Sequence, residues 1–482
     1  MMITRSALSR RATAAAGAAT AAGAVSAALA VALLAAPAPA VAAEFRLPDF
    51  DTVTLPNGLT VYLMERHDVP LISVRAVVKA GAVHDGPQPG LSNLTGDALL
   101  LGTRAHDKAS IDQAFDARGA RLAGGAGTEA STVQANFAAA DSAALLPLFA
   151  EIVQQPSFDA AELAKLRARK INGIKQAKEA PRLVVQTYYR AMLFGERPYG
   201  SPVGGTAGSL AALQQSDVQG YYQRYYRPDN AAVIVVGDFQ KAAMRQQIAA
   251  LFGAWQATGP APAAQDNGQV RADQARVLLV NKADAIETTF LIGGAGIARN
   301  DPDYVPLQVV NTVLGGRFTS WLNDELRVNS GLTYGASSQF APLGQSGTFA
   351  ISSFTALPKT GAALALAQTT YQRLWKQGID AATLASAKAY VKGQFPPRYE
   401  TGEQLAGLLG DMYAFQVGRA QIDNFTRDVD RLTPDKAKAL IDKHFPRANL
   451  QTVLIGKAEA IRDIARQYGE VTELEISADG FR

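Results

Sequence analysis

Residues 226–237 read YRPDNAAVIVVG, and residues 445–456 read FPRANLQTVLIG. In both segments an aromatic residue lies four positions before an asparagine, and a glycine follows that asparagine by seven positions. An Asn turn that leads into a run of aliphatic residues and stops at glycine predicts a buried strand. The two segments are 219 residues apart in a chain of 482 residues. This shared spacing at almost half the chain length predicts a duplicated domain.

Each copy combines short strand-like runs with longer helical stretches. The clearest strand-like runs are residues 71–78, 277–280 and 348–353. The clearest helical stretches are residues 159–178, 360–377 and 433–443. Because strands and helices come in blocks rather than in regular alternation, the pattern predicts an α+β fold and not a doubly wound sheet.

The boundary between the copies is marked by composition. Residues 256–268 read QATGPAPAAQDNG, which has no apolar period and is rich in proline, alanine, glycine and polar residues. Such a segment is typical of a linker. We predict a first domain at residues 45–255, a linker at 256–275 and a second domain at 276–480.

The first residues have the pattern of an export signal. Three arginines precede an Ala-rich apolar run at residues 12–36, and small residues at Ala40 and Ala42 fit cleavage after residue 42. We predict a signal peptide at residues 1–42 and a periplasmic mature protein. The pair Arg10-Arg11 leaves both the Sec and the Tat route open. The alternative is an anchor helix that is retained.

Composition excludes several kinds of function. The chain has no cysteine, so it has neither a thiolate zinc site nor a cysteine nucleophile. Its net charge is +4, and no basic stripe is visible, so a nucleic-acid partner is not expected. With 48% hydrophobic residues the chain can bury two large cores without disulfides.

Two further motifs carry a family resemblance. Residues 90–103 read GLSNLTGDALLLGT and residues 326–334 read LRVNSGLTY. The first resembles the inverted zinc-binding helix G-L-A-H-x-x-E-H-x-x-x-x-G-T of the M16 metallopeptidases, the family of pitrilysin and the mitochondrial processing peptidase. The second resembles the Arg and Tyr pair of the same family. Shorter matches follow the family order at residues 55–61 (N-G-L-x-V), 198–204 (P-Y-G-x-P) and 315–322 (G-G-x-F-x-S-x-L).

The resemblance covers essentially all of residues 45–480. It implies two homologous M16-type α+β domains of roughly 220 residues joined by a linker, after the signal peptide. It also implies that the first domain once had a zinc site and that the second domain has the pair that contacts substrate.

In this alignment the zinc motif is lost. Asn93 stands for the first His, Gly96 for the Glu base and Asp97 for the second His, and the third ligand falls at Gly173 or Ile174. A catalytic zinc needs three protein ligands and an open position for water. An amide is a poor zinc ligand and glycine has no side chain, so we predict that this chain holds no metal.

No other part of the sequence replaces that site. The chain has four histidines, none of them spaced to share one helical face: His67, His84, His106 and His444. His84 and His106 each precede an aspartate and are predicted to lie in solvated turns, and His444 is predicted to end a helix as a charge or a partner. The Asn that would meet substrate in the strand after the zinc helix is Ala123.

The resemblance implies that Arg327 binds the substrate main chain and that Tyr334 stabilises the oxyanion. Tyrosine has an O–H donor and arginine a rigid fork of N–H donors. Loss of one oxyanion donor typically costs about 3–4 kcal/mol. From the residues alone, Arg327 could instead pair with Asp324, and Tyr334 could pack in the core beside Leu332.

These motifs together predict a non-catalytic subunit. We expect a heterodimer with an M16 homologue that keeps H-x-x-E-H and its zinc, in which this chain closes the chamber around unfolded peptides and supplies Arg327 and Tyr334. Alone, the chain is expected to have no cofactor and no metallopeptidase activity. The alternatives are a purely structural scaffold subunit and a stand-alone peptide-binding protein. No nucleic acid is expected as a partner, nor a membrane once the signal is removed.

Overall fold

The computed structural model describes residues 45–482, apart from residues 263, 264, 269 and 271. Residues 45–482 form one compact unit. The predicted signal peptide lies outside the described residues, as do four positions of the predicted linker. Among the described residues, no helix has both the length and the hydropathy needed to cross a bilayer.

Two six-stranded sheets organise the fold. The strands are β1 (Asp51–Thr54), β2 (Thr60–Glu65), β3 (Leu71–Val78), β4 (Arg121–Ala126), β5 (Ser131–Ala138), β6 (Ala231–Gly237), β7 (Arg276–Asn281), β8 (Glu287–Ala295), β9 (Ala336–Pro342), β10 (Gly347–Ala356), β11 (Gln451–Gly456) and β12 (Glu470–Glu475). The first sheet has the order β1-β2-β6-β3-β5-β4 and the second the order β12-β7-β11-β8-β10-β9.

The repeated Asn-to-Gly segments form equivalent strands. Strand β6 is parallel to β2 and antiparallel to β3, and β11 is parallel to β7 and antiparallel to β8. The two asparagines also act alike. The Asn230 amide donates to the carbonyls of Lys79 and Tyr225 (3.1 and 3.0 Å), and the Asn449 amide donates to two carbonyls just before β7 (3.1 and 3.0 Å). The duplication is therefore real in three dimensions.

The sheets differ at one edge. In the first sheet the edge strand β1 comes from the start of the unit and pairs antiparallel with β2 through the turn that contains Asn57 and Gly58. In the second sheet the edge strand β12 comes from the end of the chain and runs parallel to β7. The same edge is thus completed from opposite ends of the chain.

Helices cover the sheets. They are α1 (Leu91–Ala98), α2 (Lys108–Asp116), α3 (Ser142–Gln154), α4 (Ala160–Glu179), α5 (Pro181–Phe194), α6 (Ala207–Ala212), α7 (Gln215–Tyr225), α8 (Lys241–Phe252), α9 (Tyr304–Leu314), α10 (Trp321–Asn323), α11 (Thr360–Lys376), α12 (Ala381–Gly393), α13 (Gly402–Phe415), α14 (Arg419–Asp423), α15 (Phe425–Asp430), α16 (Pro434–His444) and α17 (Ala458–Ala465). Helix α10 continues directly into a π-helical turn, Asp324–Asn329.

The two halves exchange one helix each. Helix α5 of the first half packs on β8 and β11 of the second sheet, and α13 of the second half packs on β3 and β6 of the first sheet. The Tyr189 hydroxyl of α5 donates to the Phe349 carbonyl of β10 (2.8 Å). Because each sheet has helices on both faces, β6 is buried at every residue. The predicted α+β fold with two homologous domains is confirmed.

Candidate functional site

Helix α1, which carries the former zinc positions, begins at a buried carboxylate. Asp85 accepts hydrogen bonds from the backbone N–H groups of Gly90 and Ser92 (both 2.8 Å). Burial raises the pKa of Asp85 to about 7, although these hydrogen bonds oppose the change. The predicted solvated turn is wrong here, because Asp85 is buried and the ring of the half-buried His84 lies 4.8 Å from that of Tyr225.

A lysine lies between the two former His positions. The Lys170 ammonium, from α4, donates to the Asn93 side-chain oxygen (2.6 Å) and forms an ion pair with Asp97. The Lys170 side chain is only 16% exposed. The Asn93 amide in turn donates to the Ala126 carbonyl at the end of β4 (3.1 Å). One ammonium therefore joins α4 to α1, and α1 is joined to β4.

The position of the former base has no room for a side chain. A Cβ atom at Gly96 would lie 2.8 Å from the Gly125 carbonyl carbon and 2.9 Å from the Ala126 nitrogen. These are backbone atoms of β4, so they cannot turn away as a flexible side chain would. Helix α1 thus lies directly against the edge strand, and a Glu at position 96 would have to displace it.

The residues present do not fit a zinc ion. Asn93 and Asp97 supply at most one good oxygen ligand between them, and both already face a positive charge. Zinc needs three protein ligands at about 2.0–2.3 Å. At the third position Gly173 faces open space and has no side chain to offer. The donor set and the local charge both disagree with a metal.

Three of the four histidines contact carboxylates of the protein: His67, His106 and His444. His444 ends α16 and contacts Asp303 (2.7 Å), as its position at a helix end predicted. Across the part of the chain that the structure describes, potential metal ligands come together as a group of three at Asp301, Asp303 and His444. Asp303 there also accepts from Lys443 (2.6 Å), so its charge is already matched. His106 contacts Glu151 (3.1 Å).

The Arg and Tyr of the second motif lie side by side. The guanidinium carbon of Arg327 is 4.4 Å from the centre of the Tyr334 ring and 4.8 Å from that of the Phe318 ring. Tyr334 is 75% exposed and Phe318 is 62% exposed. The alternative of a core tyrosine is therefore wrong. Among the described ion pairs none joins Arg327 to Asp324, so that alternative is wrong too. The acidic residue of this helical turn that is paired is Glu325, with Arg373 (3.1 Å).

The backbone that carries this pair is held firmly. Arg327 lies in the π-helical turn, where the Ser330 N–H donates to the Glu325 carbonyl (3.1 Å). The chain then reverses at Gly331, whose φ of +60° favours glycine. The Leu332 carbonyl accepts from the Thr355 hydroxyl of β10 (2.6 Å). Exposed side chains on an anchored backbone are what a recognition site requires.

A groove lies beside the pair. It has a volume of about 510 Å³ and is lined by Phe318, by Gly335 and Ala336 at the start of β9, and by Arg182 and Phe354. The Arg182 guanidinium, from the exchanged helix α5, lies 4.0 Å from the centre of the Phe354 ring. Both halves of the chain thus contribute to this groove. Phe318 is the Phe of the G-G-x-F-x-S-x-L match, to which sequence reasoning assigned no role at the site. Arg182 was not singled out, because no spacing rule connects it to Arg327.

The two candidate sites are separated within the chain. The loop after β4 contacts the turn between β9 and β10, where Glu129 accepts from the Gly344 N–H (2.8 Å). Tyr334 precedes the other end of β9, whose seven residues span about 20 Å. Lys170 donates to Asn93, whose amide donates to Ala126, just before the Glu129 loop. The pair and the former zinc position are therefore not brought together in one chain.

Comparison with known proteins agrees with this architecture. Residues 60–207 match the family described as insulinase (peptidase family M16), and residues 212–391 match the peptidase M16 inactive domain. The uncharacterized zinc protease YmxG of Bacillus subtilis is 24% identical over 341 residues, which cover 70% of this chain and 82% of that protein. The uncharacterized zinc protease Rv2782c of Mycobacterium tuberculosis is 23% identical over 415 residues, which cover 86% and 94%.

Solved structures have the same fold. The peptidase M16 inactive domain from Pseudomonas fluorescens aligns with a TM-score of 0.79 and 27% identity, over 85% of this chain and 98% of that one. A protease from Helicobacter pylori aligns with a TM-score of 0.76 and 19% identity, over 85% and 100%. The fold is that of a peptidase with two related domains. This chain belongs to peptidase family M16, and the family prediction from the motifs is confirmed.

Proposed function

We propose that this chain is the non-catalytic subunit of a periplasmic M16 zinc peptidase heterodimer. Its partner would be an M16 homologue that keeps H-x-x-E-H and the zinc ion. In this proposal the chain closes the chamber around unfolded peptides and supplies Arg327 and Tyr334 to the partner's site. The periplasmic location rests on the signal-like pattern of residues 1–42.

The observation that carries the proposal is the exposed pair beside a groove. Tyr334 is 75% exposed and stacks on Arg327, while Leu332, which lies between them in the chain, is anchored to β10. Stacking on an aromatic face orients a guanidinium and leaves its N–H donors available. Among the described ion pairs none involves Arg327. A donor pair that is oriented and forms no ion pair with the described residues is suited to a ligand or to a site on another chain.

The chemistry of peptide hydrolysis fits this pair. The carbonyl oxygen gains negative charge as the tetrahedral species forms, and donors placed at that oxygen lower the barrier. The Tyr334 hydroxyl would donate to this oxygen, and the Arg327 fork would hold neighbouring substrate carbonyls. The zinc of the partner would polarise the carbonyl and activate a water. The Lys170 ammonium at the former ligand positions and the missing side chain at Gly96 support assigning that part to the partner.

The test is reconstitution with a zinc-bearing homologue. We expect the mixture to cleave an unstructured fluorogenic peptide at least about 10²-fold faster than the zinc chain alone, the size of effect that one oxyanion donor has. In the mixture, Arg327→Ala and Tyr334→Phe should each remove most of that gain. Arg466→Ala and Tyr468→Phe, a second Arg and Tyr outside the groove, are the matched controls and should leave it unchanged.

Light scattering of the purified mixture must accompany each rate, so that lost activity is not confused with lost assembly. If the zinc chain alone is as fast as the mixture, the proposal is wrong. If a folded Arg327→Ala, Tyr334→Phe complex keeps full activity, the chain is a scaffold. If the chain remains a monomer or a homodimer after the candidate partner is added, and it binds extended peptides, it is a peptide-binding protein.

A further inference from the structure

We infer that the first half of this chain carries its own cation in place of zinc: the Lys170 ammonium, which binds the side chains at both former His positions and joins α4 to α1. This inference does not depend on the role of Arg327 and Tyr334. It concerns what the former metal site has become.

The geometry places the ammonium where it contacts both positions. Lys170 donates to the Asn93 oxygen (2.6 Å) and pairs with Asp97, one helical turn further along α1. Residues four apart lie on the same helical face, so one small cation can reach both. A metal ion held by His residues at these positions would need that same location. Asn93 and Asp97 offer oxygens that suit an ammonium, but they are too few and too weak as ligands for zinc.

Lys170 comes from the helix that would supply the third ligand. It lies three residues before Gly173, so both positions are neighbours on one face of α4. A lysine has a long, flexible stem and can bring its charge across the gap between the helices. The same surface of α4 has therefore lost the Glu of the third position and has a cation one turn earlier.

The ion pair should stabilise the contact between the helices. The Lys170 and Asp97 side chains are only 16% and 31% exposed, so water screens their attraction less than it screens a surface pair. If Lys170 lost its charge, the Asp97 carboxylate would stay partly buried beside Gly125 without a partner, a costly arrangement. Zinc cannot enter while the ammonium is in place, because two positive charges would occupy one small space.

A double-mutant cycle in the full chain tests the inference. Lys170→Met keeps an unbranched side chain, one atom shorter, and removes the charge. We expect it to raise the unfolding equilibrium constant about tenfold, which equals about 1.4 kcal/mol. The change should be much smaller when Asp97→Asn is already present. Lys165→Met, on the same helix at the exposed Lys165–Glu162 pair, is the matched control and should have less than about a twofold effect.

A second experiment asks about zinc directly. The ligands are reinstated as Asn93→His, Asp97→His and Gly173→Glu, once with Lys170 kept and once with Lys170→Met. We expect the protein that keeps Lys170 to bind zinc at least about tenfold more weakly, measured by competition with a chromophoric chelator. Equal zinc affinity in both backgrounds overturns the inference.

The stability cycle decides the case in which neither background holds zinc. The inference is also overturned if the Lys170→Met protein is as stable as the Lys165→Met protein. It is overturned too if the effects of Lys170→Met and Asp97→Asn on the free energy of unfolding simply add. Neither readout involves peptidase activity. The inference can therefore fail while the proposed heterodimer stands, and the reverse also holds.

Discussion

The buried carboxylate at the start of α1 should make the stability of this chain depend on pH in an unusual direction. Asp85 accepts two backbone N–H groups at 2.8 Å, and burial raises its pKa from 3.8 to about 7. In the unfolded chain the same group ionises near its ordinary value. The folded protein therefore holds a proton on Asp85 at pH values where the unfolded chain has already lost it.

The sign follows from proton binding. Between about pH 4 and pH 7 the folded state binds more protons than the unfolded state, so the free energy of unfolding falls as pH rises. This contribution is fully present below the unfolded pKa and is lost as pH rises through about 7. One pKa unit equals about 1.36 kcal/mol, so the whole contribution is on the order of 4 kcal/mol. From about pH 5 to pH 8 it amounts to about 2–3 kcal/mol.

Asp85→Asn removes the titration and keeps one acceptor oxygen for the start of α1. Urea unfolding at several pH values measures the free energy of unfolding of wild type and variant. The wild-type value minus the variant value should fall by about 2–3 kcal/mol from about pH 5 to pH 8. The control is Asp107→Asn. Asp107 also accepts a backbone N–H at the start of a helix (2.8 Å), but it is exposed and its hydrogen bonds with Ser110 lower its pKa. Its difference curve should be flat in this range. A flat or rising curve for Asp85→Asn would refute the reasoning.

Two further predictions concern the two candidate sites. Gly96→Ala should lower the free energy of unfolding by about 1–3 kcal/mol, because its Cβ must displace the backbone of β4. Gly173→Ala, in the open face of α4, should instead raise it by about 0.5–1 kcal/mol. Urea unfolding measures both changes, and equal effects would contradict the prediction. Phe318→Ala should lower the peptidase rate of the proposed heterodimer about two- to fivefold, because Arg327 loses one of its two stacking rings, and Phe318→Trp should restore it. If Phe318→Ala still lowers the rate when Arg327→Ala is present, the ring acts by another route.

Most of the regular structure followed from local patterns. The predicted strand at residues 71–78 matches β3, and the predicted helices at 159–178 and 433–443 agree with α4 and α16 to within one residue at each end. These segments have strong periodicity and clear start signals, such as the side chain of Asp159, which accepts from the first backbone N–H groups of α4. Such elements can be predicted because hydrophobic periodicity and helix capping are local properties of the sequence.

The exchange of α5 and α13 could not be predicted in this way. An apolar helix face indicates that something covers it but not which sheet does so. The distinction depends on contacts between distant parts of the chain, such as the hydrogen bond from Tyr189 to Phe349, 160 residues away. The buried state of Asp85 escaped prediction for the same reason, since a His-Asp pair before a Gly-Pro turn has the composition of an exposed loop.

Lys170 shows what motif comparison leaves out. An alignment to the zinc helix asks which ligands remain, and it reports a loss at Asn93, Gly96 and Asp97. It does not ask what now neutralises Asp97, because the answer lies on another helix at a position the motif ignores. A carboxylate that is 31% exposed beside a strand backbone needs a partner, and that requirement favours a cation on a neighbouring helix. Where a metal motif has decayed and a carboxylate now stands at a ligand position, a lysine or arginine one turn from another missing ligand is therefore the expected partner.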